Sequence, residues 1–182
     1  MSILPIYTYD HPILRKKLKP VTEITADVVA LAMAMHETMR NADGIGLAAN
    51  QVGRDMRLLV LDVSASEGYE GMKPMTMINP AIVSVSDEEE LQEEGCLSLP
   101  DLRADVVRPS GIEVVWFDTG MSEHRMEADG LLARVIQHEI DHLRGIYFFD
   151  HLAPMRRALM KRKLLEIKRN EVPADYPLYT GK

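Results

Sequence analysis

A single cysteine, Cys96, occurs in 182 residues, so no internal disulfide can form. A lone cysteine is most often a small buried hydrophobe, and its presence alone does not mark it as reactive. No apolar run approaches the roughly 18–20 residues that a membrane span requires. Residues 1–10 hold no basic stretch followed by an apolar one, so they do not read as a signal peptide. Internal repeats and low-complexity tracts are also missing. These absences leave the cytoplasm as the expected compartment.

What is present fits one domain spanning residues 1–182. Hydrophobic residues make up 46% and charged residues 27%, the balance of a globular domain large enough to bury a core. A net charge of −7 argues against non-specific binding of DNA or other nucleic acid by the body of the protein. The charge is uneven, however. Residues 155–169 carry seven basic side chains against the lone acid Glu166, a local +6 that leaves −13 for the remainder. Taken by itself, such a segment is a solvated helix face.

The patterning predicts a helix, then short strands, then two more helices. Thr25 can cap a helix running to about Arg40, in which Val28, Ala32, Met35 and Met39 form one apolar stripe. Residues 57–63 read as a buried strand. Residues 75–78 and 81–85 read as strands interrupted at Asn79-Pro80. Six carboxylates in residues 87–94 predict a largely solvated ribbon or turn, and residues 112–117 and 123–128 are further strand candidates. Residues 131–143 form the second helix, ended by Gly145. Pro154 opens a third helix to about Arg169, with Leu159, Ile167 and Met155 as its inward residues. An irregular tail, residues 170–182, follows. This order predicts an α+β fold, with short, mostly antiparallel strands around a central helix and a helix towards each terminus.

The sharpest chemical signal is His138-Glu139-Ile140-Asp141-His142. Two histidines at i and i+4 project from one helix face and can share a metal ion. The glutamate after the first can then act as general base toward a water that the metal acidifies. At about 100° per residue the histidines share a stripe with Leu131 and Val135, while Arg134, Gln137, Asp141 and Arg144 occupy the opposite, polar arc. Two buried structural histidines would each need separate partners indoors, which disfavours the bland reading. A catalytic site usually takes a third protein ligand. Cys96, in Glu94-Gly95-Cys96-Leu97-Ser98, is one candidate among the remaining histidines and carboxylates. Gly44-Ile45-Gly46-Leu47-Ala48-Ala49-Asn50-Gln51 satisfies a dinucleotide-binding pattern, but it follows a helix and precedes a strand. That is the reverse of the order such a site needs. What remains is a backbone that can approach a ligand closely, ending in the amide of Gln51.

Together the three segments resemble the peptide deformylase family, whose marks are G-x-G-L-A-A-x-Q, E-G-C-L-S and Q-H-E-x-D-H in that order. Each defined position is matched in residues 44–51, 94–98 and 137–142, and the likeness extends to residues 10–14 and the first helix. The resemblance implies that Cys96, His138 and His142 hold one divalent metal. That ion is ferrous iron in the cell, with zinc, nickel or cobalt able to substitute. Glu139 is implied as general base, delivering its proton to the leaving amine. The Gln51 amide and the Leu97 N–H are implied as oxyanion donors. The substrate, an N-formyl-Met peptide, is expected to lie extended beside residues 44–46. Ile45 and Gly46 would bond it and Arg103 would meet it further along, while Leu131 and Val135 line the methionine pocket. Arg134 stands between two readings: its polar arc points away from the pocket, and the family pattern puts it near the rim. Docking of the basic C-terminal helix at the ribosome is the final implication.

Two other functions compete. A zinc endopeptidase would use residues 138–142 alone, with a third ligand downstream, and would leave Cys96 and Gln51 idle. A metal-stapled binding module would need a closed four-ligand site and has no use for Glu139.

Overall fold

The computed structural model describes residues 3–181; Met1 and Ser2 of the N-terminal reading, and Lys182 of the tail, lie outside them. Helix α1 (Ala26–Asn41) starts where the Thr25 hydroxyl accepts the Val28 N–H at 3.4 Å. Strands β1 (Gly46–Ala48), β2 (Leu58–Leu61) and β3 (Met75–Val85) follow. Next come β4 (Glu89–Cys96) and β5 (Leu99–Pro109), then β6 (Gly111–Phe117) and β7 (Glu123–Asp129). Helices α2 (Gly130–Arg144) and α3 (Pro154–Lys168) complete the α+β arrangement. An antiparallel sheet runs β1-β2-β3-β6-β7, and β4 with β5 forms a separate antiparallel ribbon.

Successive side chains of a strand point to opposite faces, and all four residues of β2 are buried, so the sheet is covered on both sides. Leu58 and Val60 pack with the α1 stripe of Val28, Ala32, Met35 and Met39. Leu59 and Leu61 pack with Ile136, Ile140 and Leu143 of α2. The ribbon contributes Leu99, Leu102 and Val106 to a third cluster with Tyr147, Phe148, Leu164 and Ile167. Helix α2 therefore lies between the sheet and the ribbon, and the metal-ligand candidates sit at that junction.

The structure departs from the sequence expectations in three places. Strand β3 continues through Asn79-Pro80, where its register against β6 shifts and Asn79 adopts φ 51°. A bulge there accommodates a proline that has no N–H for the ladder. Strands β1 and β5 lie in stretches with no expected strand, because β5 alternates charged exposed residues with a buried arginine, Arg108. On α3, Met155 and Leu159 point to solvent at 80% and 82% exposure, and Leu164 joins Ile167 inward. The inward stripe is Met160, Leu164 and Ile167. Met155 and Leu159 lie roughly 100–140° around the helix from the middle of that stripe.

Gly145 ends α2 at φ 77°, and a β-carbon there would sit 2.4 Å from the Arg15 carbonyl oxygen. Gly145→Ala is expected to lower unfolding stability by about 1–3 kcal/mol through the combined left-handed backbone and clash. Urea unfolding measures it, and an unchanged midpoint would contradict this account of the turn.

Candidate metal centre and active site

His138 and His142, one turn apart on α2, face Cys96 at the end of β4, and the ligand atoms of the three all lie within 4.8 Å of one another. Cys96 Sγ is 3.2 Å from His142 Nε2. His138 Nδ1 meets the Glu94 carboxylate at 2.8 Å, an arrangement that leaves Nε2 to face a metal. Burial opposes charge on His138, but hydrogen bonds to Cys96 and Glu94 hold its pKa well above the usual imidazole value. Burial, together with the neighbouring His138, pushes His142 well below it. A soft sulfur with two imidazole nitrogens is a fitting donor set for a divalent first-row ion. Among the described residues this group has three protein members, which suits an open catalytic site better than a closed structural one. The third ligand comes from the ribbon upstream of the helix, so the arrangement does not follow the endopeptidase expectation.

The polar arc of α2 is not a solvated face. Arg134, Gln137 and Asp141 are all buried, and only Arg144 is exposed. Arg134 and Asp141 join a charge cluster centred on Glu94, while Gln137 donates to the Pro109 and Ala133 carbonyls. Arg108 Nε and Nη2 donate to the Glu94 carboxylate at 2.6 and 3.0 Å, and Arg134 Nη1 donates to it at 3.0 Å. Arg108 Nη1 also reaches Asp141 at 2.7 Å, and Asp141 in turn meets His151 at 2.7 Å. Burial works against an ionised Glu94, but hydrogen bonds from His138 and Arg108 outweigh it and hold the carboxyl far below the usual range. This cluster escaped the sequence reading. Its one visible signal is alternation: in a strand residues i and i+2 share a face, so Glu94 faces the same way as Cys96.

Glu139 follows the first ligand and is buried, with burial raising its carboxyl to about 7. Its Oε2 has no hydrogen-bond partner among the described residues. A β-carbon at Gly46 would lie 2.5 Å from Glu139 Oε1, so the second glycine of the G-x-G segment makes room for this carboxyl. Gln51 is also buried. Its Oε1 accepts the Ala48 N–H at 2.8 Å, while its Nε2 donates to Ser98 Oγ at 3.2 Å and lies 3.5 Å from Cys96 Sγ. Leu97 occupies the two-residue turn between Cys96 and Leu99.

These groups surround one cavity of about 490 Å³, within the range typical of small-ligand sites. Ile45, Gly46, Arg103, Leu131 and Val135 all line it, so the five expected substrate contacts converge. Arg134 lines it too: its guanidinium serves Glu94 and the Val106 and Glu90 carbonyls while the residue borders the cavity. Arg134 therefore borders the cavity, against the expectation that its polar arc points away from it. Tyr176, from the tail, also lines the cavity and was not expected there.

A family model described as Polypeptide deformylase matches residues 3–158. A peptide deformylase of Chlorobium luteolum is 48% identical over 176 residues, which cover 97% of this chain and 92% of the relative. One from Salinibacter ruber is 47% identical over 185 residues, covering 98% and 95%. The crystal structure of a peptide deformylase from Legionella pneumophila superposes with a TM-score of 0.84 at 37% identity, over 93% of this chain and 98% of that one.

Replacing Glu94 tests the charge cluster directly. Because its folded-state pKa is depressed, ionised Glu94 stabilises the fold above the ordinary carboxylate range, and that contribution disappears as pH falls toward the folded-state value. Glu94→Gln leaves two arginines facing a neutral amide. It is expected to cost about 3–5 kcal/mol of stability at neutral pH and to weaken metal binding roughly 10–100-fold. Chemical unfolding and chelator competition measure the two effects, and full metal affinity in the variant would show that Glu94 does not orient His138.

Proposed function

Because this chain belongs to the peptide deformylase family and removes the formyl group from N-terminal formyl-methionine, we propose a role for each residue of its site. Cys96, His138 and His142 hold a divalent ion, ferrous iron in the cell, with zinc, nickel or cobalt able to take its place. When bound, such an ion supplies Lewis-acid chemistry, acidifying water and polarising the formyl oxygen. Glu139 accepts the proton of the attacking water and returns it to the leaving amine. The Gln51 side-chain amide and the Leu97 N–H donate to the developing oxyanion, each donor lowering the barrier by about 3–4 kcal/mol. The observation that carries this reading is the buried, unpartnered Glu139 oxygen beside the Cys96, His138 and His142 cluster.

Substrate binding follows from the sheet edge. Strand β1 pairs with β2 on one side, and the cavity lies against residues 44–46. An extended peptide can add to that edge through the backbone of Ile45 and Gly46, with Arg103 at the rim further along. Leu131 and Val135 give the methionine side chain an apolar wall, and the small formyl group enters the narrow end beside Gln51. We take all 182 residues as one catalytic domain, since sheet, ribbon, α2 and tail all border the cavity. The substrate implies the cytoplasm, and no helix among the described residues is long and apolar enough to cross a membrane.

Glu139→Gln keeps the side-chain shape but cannot accept the proton of water. Purified without oxygen, the variant should carry one iron per chain and lose nearly all turnover on a formyl-Met peptide. Activity above a tenth of the wild-type value would refute Glu139 as the base, and a different native metal would refute iron.

Ribosome docking through α3 is the second element of this reading. The solvent-exposed surface of α3 carries Arg156, Arg157 and Lys161, with Met155 and Leu159 on the side away from Arg157 and Lys161, whereas Lys163 is paired with Asp101 and Lys168 with Asp10. A polyanionic RNA surface would attract this face and repel the acidic remainder. Changing Arg156, Arg157 and Lys161 to glutamate should leave turnover of short formyl peptides intact and abolish co-sedimentation with ribosomes at low salt. Docking is wrong if wild-type protein does not co-sediment, or if the variant does so equally well.

A further inference from the structure

We propose that Tyr176, delivered by the C-terminal tail, is a positioning residue that holds the Leu97 N–H in place for the oxyanion. The inference rests on the reading of Leu97 as an oxyanion donor. It concerns a residue beyond the 3–158 segment that the family model matches.

The Tyr176 hydroxyl donates to the Leu97 carbonyl at 2.9 Å, and its ring borders the cavity. Leu97 and Ser98 alone make the turn of the ribbon, because Cys96 already pairs with Leu99. A turn this short has few ladder hydrogen bonds of its own, so its peptide planes must be fixed from outside. Three outside contacts do so. Tyr176 holds the Leu97 carbonyl, the Tyr9 N–H donates to the Ser98 carbonyl at 3.1 Å, and Gln51 Nε2 donates to Ser98 Oγ. Each residue has only two soft backbone dihedrals. With β4 fixing the chain before Leu97 and Tyr176 holding its carbonyl after, the Leu97 N–H has little freedom to turn.

The tail is built to bring Tyr176 to this point. The Ile6 N–H donates to the Pro177 carbonyl at 2.8 Å, and the Tyr179 N–H donates back to the Ile6 carbonyl at 2.9 Å. The Tyr179 ring stacks on Tyr7 at 4.0 Å between centroids. Tyr7 in turn donates its N–H to the Gln51 carbonyl at 2.8 Å. The strap that carries Tyr176 is thus tied to the backbone of the other proposed oxyanion donor. Oxyanion donors act by being already aimed when charge develops. A small misplacement should therefore slow turnover without weakening the binding of the ground-state peptide.

Tyr176→Phe removes one hydroxyl and keeps the ring. Measured on a formyl-Met peptide and normalised to bound metal, kcat should fall about tenfold with KM within a factor of two. In the zinc-loaded protein, amide hydrogen exchange at residues 97–98 should quicken, a readout independent of turnover. Unchanged kcat, or a loss carried by KM alone, would overturn the proposal. So would a fall in melting temperature with unchanged kcat per bound metal, which marks a merely structural contact. In a parallel variant the peptide bond before Leu97 becomes an ester, removing the N–H itself. If that ester keeps full turnover, the oxyanion reading of Leu97 fails. If it loses turnover while Tyr176→Phe does not, only the role of Tyr176 fails.

Discussion

The carboxylate of Glu94 is the contact on which the metal centre depends, because it joins the two elements that carry the ligands. Cys96 comes from the ribbon and the histidines from α2, and nothing in either element alone fixes their separation. Glu94 sits two residues before Cys96 and bonds His138 directly, while Arg108 from the other ribbon strand and Arg134 from the helix close around it. Buried ion pairs often add little net stability, because desolvation offsets the attraction. What such a cluster supplies here is geometry. It allows one register of helix against ribbon, and that register brings three ligand atoms within 4.8 Å.

This division explains which parts of the molecule were legible in the sequence. Elements whose apolar residues repeat at the period of their own secondary structure could be read directly: α1, α2 and the strand at β2. The histidine pair was legible for the same reason, since i and i+4 on a helix is a local relation. Cys96 was different. Its partners lie more than forty residues away, and only the family pattern, not spacing, singled it out. The polar arc of α2 misled because an amphipathic helix ordinarily turns such residues to water. Here Arg134 and Asp141 face Arg108 and Glu94, whose positions depend on the ribbon fold. The inward stripe of α3 was misplaced for a related reason. Met155 and Leu159 are apolar, but the helix is oriented by the cluster that Leu164 and Ile167 enter. Nothing in the composition of the tail pointed to Tyr176, since its contact depends on pairing between the two chain ends.

The glycines of residues 44–46 illustrate how one constraint propagates. Glu139 is one residue past the first ligand, so fixing α2 by its charge cluster also fixes the carboxyl against β1. A side chain at Gly46 would occupy the same space, and at Gly44 a β-carbon would meet Leu97 Cδ1 at 2.8 Å. The segment that first resembled a nucleotide loop is therefore glycine-rich for a different physical reason. It is the edge at which the β1 backbone, the Glu139 carboxyl and the Leu97 turn are packed within contact distance.

Charge accounting ties these parts together. Around α2 the buried acids are Glu94, Asp141 and Glu139, set against the buried arginines Arg108 and Arg134, with His151 also against Asp141. A charge buried there without a partner would be costly, and Glu94 and Asp141 each have an arginine. The Glu139 Oε2 has no such partner among the described residues, and burial raises its carboxyl to about 7. Neither arginine is free to pair with it, because both are committed to Glu94 and to the ribbon carbonyls or Asp141. A cation held by Cys96, His138 and His142 would favour the ionised carboxylate. The network that sets the distance between helix and ribbon therefore also leaves a positive ion at the ligands as the charge partner open to Glu139.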